Sequence, residues 1–102
     1  MATPRSKAAS LFGQRVREAR IALGRSQEEI AHLAGMHVTN YGRIERGEAN
    51  SELTTIVRIA TALDTDPADL LAGLYGKGML PGKARAYSVT DFIAAQRARE
   101  RD

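Results

Sequence analysis

An all-α fold follows from three features of this 102-residue sequence. Between residues 26 and 47, a polar cap, two short apolar-periodic runs and an intervening glycine mark two helices joined by a tight turn. Stripes of aliphatic residues at helical spacing flank that unit on both sides. Helix-opening signals precede those stripes: Ser10 before one, and Asp66-Pro67 before another.

The elements follow in order. Residues 1–9 (MATPRSKAA) are small and polar and carry Arg5 and Lys7. They are expected to form a flexible basic arm, read either as a loose tail or as a segment lying along DNA backbone or minor groove. Ser10 is expected to cap the first helix, whose stripe Phe12, Val16, Ala19 and Leu23 runs to a stop at Gly24. Arg20 interrupts that stripe, four residues after Val16. Glu45 is similarly placed, four residues after Tyr41 and beside Ile44. A charge on a half-buried edge wants a partner, so Arg20 and Glu45 are expected to form a structural ion pair that orients the first helix against the third.

Ser26 with Glu29 three residues on forms a capping box for the second helix, which buries Ile30, Ala31 and Ala34. Gly35 supplies the sharp exit, and Ala31 is small enough for the next helix to cross closely. The third helix starts near His37 or Val38 and ends at Arg46-Gly47, with Tyr41 and Ile44 inward. This is the pattern of a helix-turn-helix, whose second helix is laid into a DNA major groove. Ile56, Ile59, Ala60 and Leu63 mark a fourth helix. Asp66, Pro67 and Asp69 open a fifth that presents Leu70, Leu71 and Leu74 to the core, to a two-fold partner, or to both. Three glycines and a proline make residues 76–87 a linker. Ser88-Val89-Thr90-Asp91 then starts a last helix whose Val89, Phe92, Ile93 and Gln96 share a face. That amphipathic helix has three readings: docked on its own domain, docked on a second subunit, or a frayed tail. The expected divisions are thus 1–9 (arm), 10–75 (helix-turn-helix domain), 76–87 (linker) and 88–102 (C-terminal amphipathic helix).

Composition narrows the function classes. The chain has no cysteine, which excludes a disulfide framework and thiolate metal sites and suits a reducing cytoplasm. No apolar run reaches membrane-spanning length, and no signal peptide precedes the first helix. Residues 1–50 hold eight Lys/Arg against five Asp/Glu, residues 51–75 one against four, and residues 76–102 six against three. The half carrying the helix-turn-helix is therefore basic and the helices behind it acidic, an asymmetry suited to a polyanion on one side. His32 and His37 have no clustered Cys or carboxylate partners at metal-ligand spacing. No phosphate-cradling glycine loop or nucleophile constellation occurs, so neither an enzyme nor a cofactor is expected.

The ordered series LGRSQEEIAHLAG (23–35), IERGEAN (44–50) and LTTIVRIATAL (53–63) resembles the phage-repressor-like (Xre/Cro-type) helix-turn-helix DNA-binding domains. The resemblance runs from Leu11 to Leu74 and implies a five-helix bundle, here with an additional C-terminal helix. It implies the Arg20–Glu45 pair as well, and that Gln27 both touches phosphate and props a side chain of the recognition helix. The residues left facing outward, Val38, Thr39, Gly42 and Arg43 with His37 at the mouth, match the family's base-reading set. Arg43 suits a bidentate contact to guanine, worth ~1–3 kcal/mol of discrimination, or alternatively a phosphate. Thr39 can exchange one hydrogen bond and Val38 can pack on a thymine methyl. Ser26, Gln27, Asn40, Arg46, Asn50 and Ser51 are the expected phosphate ligands, Asn40 alternatively a base ligand. The chain departs from the family pattern where His37 replaces a Ser or Thr cap, where Gly42 sits inside a helix, where Arg25 precedes Ser26, and where proline is missing near residue 51.

The function these readings predict is sequence-specific binding of double-stranded DNA by a homodimeric transcriptional regulator on an inverted repeat, in the cytoplasm at the nucleoid. Two sub-classes stand beside it: a restriction–modification controller protein, and a helix-turn-helix antitoxin holding a protein partner through the tail from Ser88. A protein-interaction module that keeps the fold without reading bases is the alternative of a different class.

Overall fold

The computed structural model describes residues 4–82 and 87–101, which form six α-helices. They are α1 (Lys7–Ala22), α2 (Gln27–Leu33), α3 (Val38–Glu45), α4 (Leu53–Ala62), α5 (Pro67–Leu71) and α6 (Val89–Glu100). The expected arm, linker and last helix extend into residues 1–3, 83–86 and 102, which lie outside the described residues. Among the described residues no helix is long and apolar enough to cross a membrane.

One core holds α1 to α5 together. Phe12 and Val16 of α1 meet Ile30, Ala31 and Ala34 from α2 and its cap, and Tyr41 and Ile44 from α3. Ile59, Ala60, Leu63 and Leu70 close it from α4 and α5. The helical stripes read from the sequence supply these positions, with one correction. Leu23 is 45% exposed, because it is the C-cap of α1 and lies where the chain is already turning off the core. On the face of α5 that the sequence divides between the core and a partner, Leu70 is buried and Leu71, the last residue of a five-residue helix, is 38% exposed.

The start of α1 is a further correction. Ser6, not Ser10, is the N-cap: its hydroxyl accepts from the Ala9 amide at 3.0 Å, and Ser10 lies inside the helix. Lys7, Ala8 and Ala9 are good helix formers, and the first-turn amides they expose find acceptors. The Ala8 amide donates to the Met79 carbonyl at 3.0 Å, and the Arg5 amide donates to the Gly47 carbonyl at 2.8 Å. From Arg5 onward the expected arm is thus tied to the end of α3 and to the segment after α5. That segment, expected as a free linker, is anchored at Met79.

At the far end of the bundle Asp66 caps α5 with Pro67 at its first position. Arg15 of α1 donates from Nη1 to the carbonyls of Leu70 (3.2 Å) and Ala72 (2.7 Å). These are orphan acceptors at the end of a helix, and a guanidinium both satisfies them and complements their negative pole. Nothing in the sequence singled out Arg15. The last helix, α6, is capped as expected by the Ser88 hydroxyl, which accepts from the Asp91 amide at 3.0 Å. It buries none of its residues, so it does not dock on its own domain.

Candidate nucleic-acid interface

Two short helices and the turn between them build the interface, and α1 holds it from behind. The capping box at Ser26 is complete. Its hydroxyl accepts from the Glu29 amide, and Glu29 Oε1 accepts from the Ser26 amide, both at 3.0 Å. Arg25, in place of a staple residue, pairs with Glu29 at 3.2 Å across one turn. Gly35 leaves α2 at φ +67°, a left-handed conformation that glycine adopts without the Cβ clash. His37 then caps α3 through Nδ1, which accepts from the Thr39 amide at 3.3 Å. The imidazole therefore takes the role that the family pattern gives to Ser or Thr.

The inner side of α3 is locked to α1 by three devices. Gly13 lies directly under the carboxyl end of α3: a Cβ there would stand 2.1 Å from the Ile44 carbonyl oxygen and 2.7 Å from that of Glu45. Gly47 packs on Ser10, where a Cβ would come within 2.8 Å of its Cα, and it also turns the chain at φ +75°. The third device is ionic. Arg20 grips Glu45 with both arms of its fork, Nε to Oε2 at 2.7 Å and Nη2 to Oε1 at 3.0 Å. The Arg20 guanidinium also donates to the Arg25 carbonyl at 2.9 Å, and Gln27 Nε2 donates to Glu45 Oε1 at 2.9 Å. One carboxylate thereby ties α1, α2 and α3 together.

Electrostatics follow from that burial. Glu45 has a side chain only 1% exposed. Burial pushes its carboxyl upward, but the two-armed hydrogen bond from Arg20, the bond from Gln27 and the Arg20 charge outweigh this and hold it below the ordinary carboxylate range. The Glu45 carboxylate in turn raises the Arg20 guanidinium further. Tyr41 lies against the pair with no exposed surface; burial, then the neighbouring Glu45, drives its phenol far above its usual value, so it is a neutral member of the cluster.

The outer side presents Thr39, Asn40 and Arg43 to solvent, with His37 at the mouth. Val38 is half-buried and packs on the core, so its outward surface is smaller than its helical position suggests. Gly42 requires a correction, because it is buried and presents nothing to the outside. A Cβ on it would meet Arg46 Nη1 at 3.1 Å and Gln27 Oε1 at 3.4 Å. Gly42 is the seat on which two expected phosphate ligands rest, and not itself a reader. Arg46 is steadied from the other side by Glu48, whose carboxylate accepts from its Nε. Asn50 and Ser51 are brought beside Asn40 and Arg43 in an open groove that Thr55 also lines. The Ser51 hydroxyl is buried without a hydrogen-bond partner. Glu52, the N-cap of α4, makes no side-chain cap, leaving the amides of that first turn uncapped.

This geometry defines a helix-turn-helix, and the chain belongs to that family: the Helix-turn-helix family model matches residues 16–70. Its class is the phage-repressor-like (Xre/Cro-type) one. The chain is 44% identical over 62 residues to the control protein C.BamHI of Bacillus amyloliquefaciens, a match covering 60% of this chain and 76% of that protein. It superposes on the restriction-modification controller protein C.AhdI from Aeromonas hydrophila with 47% identity and a TM-score of 0.60, over 61% of this chain and 94% of that one. The P22 c2 repressor, solved in complex with a synthetic operator, superposes with 27% identity and a TM-score of 0.58, over 62% of this chain and 96% of the repressor.

Proposed function

We propose that this chain is a sequence-specific double-stranded DNA-binding transcriptional regulator that works as a homodimer on an inverted-repeat operator, with α3 in the major groove. The observation that carries this reading is the division of α3 into a locked side and an open one. Glu45, Tyr41 and Ile44 are buried and clamped, while Thr39 and Arg43 stand free on the opposite side. Arg43 reads guanine, Thr39 and His37 supply single hydrogen bonds, and the exposed part of Val38 takes a thymine methyl. Ser26, Gln27, Asn40, Arg46, Asn50 and Ser51 hold phosphates on either flank. The Ser26 oxygen accepts in the cap and its proton remains to be donated, and Gln27 has its backbone amide at the first, unpaired turn of α2. Such a protein acts in the cytoplasm, at the nucleoid.

Among regulators the sub-class best supported is the restriction–modification controller, because a control protein and a controller protein stand at 44% and 47% identity. Selection of bound sequences from random duplex DNA, run with the native chain and with Arg43→Ala, tests the reading. The native chain should enrich a two-fold symmetric sequence, and Arg43→Ala should relax one position in each half-site and weaken binding roughly tenfold to a hundredfold. Failure to enrich any sequence, or DNA binding that ignores salt concentration, would leave the protein-interaction module as the better reading.

A further inference from the structure

The family match ends at residue 70, and a cluster of exposed apolar side chains lies beyond it. Val89 is 71%, Phe92 60% and Ile93 40% exposed on one side of α6. Twelve residues is below the length at which a helix holds by itself in water, and α6 buries none of its own. Bare side chains of this size, clustered on a helix, mark a surface that another surface covers. Directly beside them opens a groove of about 530 Å³ lined by Leu74, Met79, Leu80 and Tyr87. Ser88 and Asp91, at the root of α6, form part of its wall.

We propose that this surface is the docking site for a second copy of this chain, each copy seating Phe92 and Ile93 of its α6 in the groove at the root of the other's α6. Two features select a second copy over an unrelated protein. The first is adjacency: a two-fold contact needs knob and hole on one continuous surface, and here they are neighbours. The second is charge. Residues 51–75 carry one basic against four acidic side chains, and Asp64, Asp66 and Asp69 are exposed around the start of α5. Residues 76–102 carry six basic against three acidic, and Arg97, Arg99 and Arg101 close α6. Among the described residues none of these six charges is in a salt bridge within the chain. An α6 crossing to a partner brings its arginines toward the partner's acidic half, and the reverse pairing follows by symmetry. From the reading above the inference takes only that the chain works as a pair.

Sedimentation of the full chain without DNA tests it. The native protein should be a dimer whose dissociation constant rises with salt. Phe92→Asp with Ile93→Asp should weaken that dimer about a hundredfold or more, the loss expected for two apolar anchors. The pair should leave the thermal unfolding of α1 to α5 in place, because neither residue touches the core. Arg97→Gln with Arg99→Gln and Arg101→Gln should weaken the dimer and abolish its salt dependence. A native chain that sediments as a monomer overturns the proposal, as does a dimer indifferent to both sets of substitutions. DNA selection fails or succeeds independently of these results, since it reads α3.

Discussion

Both α3 and α6 are short helices opened by a side-chain cap, eight residues in one and twelve in the other, and they are held in opposite ways. The shorter one carries a glycine at its middle and a histidine cap, both unfavourable by local propensity, yet four of its residues are buried. The longer one has three alanines and a serine cap, and buries nothing. Rigidity in this molecule therefore comes from what a helix is packed against. Three devices from α1 fix the pose of α3: a missing side chain at Gly13, a backbone contact at Gly47 and the Arg20–Glu45 fork. Among the described residues nothing comparable restrains α6 within one chain.

That contrast can be broken most severely at Gly13. Gly13→Ala improves helix propensity by about 1 kcal/mol, but its Cβ would press on two backbone carbonyls of α3 that cannot swing aside. A net loss of about 3 kcal/mol or more is expected in urea unfolding, with a parallel loss of DNA affinity as α3 is displaced.

Next is Glu45. Glu45→Gln keeps the shape but leaves the Arg20 guanidinium without its counter-charge, at a cost of about 2–3 kcal/mol. It also changes the response to acid. The native carboxyl titrates lower in the fold than in the unfolded chain, so its contribution is complete above the ordinary carboxyl value of 4.5 and is lost as pH falls through the depressed one. The Glu45→Gln variant should show a shallower decline of stability below about pH 4.5, measured by urea titrations across that range.

Smaller again is the cap. His37→Ala should cost about 1 kcal/mol, and His37→Ser should restore it, because a hydroxyl serves the same Thr39 amide. The smallest effect should come from α6. Ala94→Pro breaks that helix, so far-ultraviolet ellipticity should fall. In dilute solution the unfolding free energy of α1 to α5 should nonetheless hold to within about 0.5 kcal/mol.

How much of this was legible in the sequence depends on the range of the interaction. Caps at Ser26, Asp66 and Ser88, and the turn at Gly35, are signalled within four residues and stand where the sequence puts them. The Arg20–Glu45 pair, 25 residues apart, was still readable, because helical phase aims both charges at one seam. Gly13, Arg15 and the Ser6 cap were not. A glycine inside a helix reads locally as a weakness, and only the crossing of α1 over α3 turns it into a requirement. Arg15 finds its carbonyls 55 and 57 residues on, and Ser6 prevails over Ser10 because Met79 and Gly47 draw the start of α1 outward. Gly42 follows the same logic. Helical phase sets it on the outer side, where it does lie, but two longer neighbours cover it.

That covering has a consequence for retargeting. Arg46 and Gln27 lie over Gly42, so a methyl group there would make the Arg46 tip give by a few tenths of an ångström, and a longer side chain would have to displace both. On the reading proposed for α3, a designer who wants a new operator therefore cannot retune position 42 alone. A base-contacting side chain there would shift two proposed holders of the sugar-phosphate rails in the same stroke, and a workable variant has to rewrite the three positions as a set.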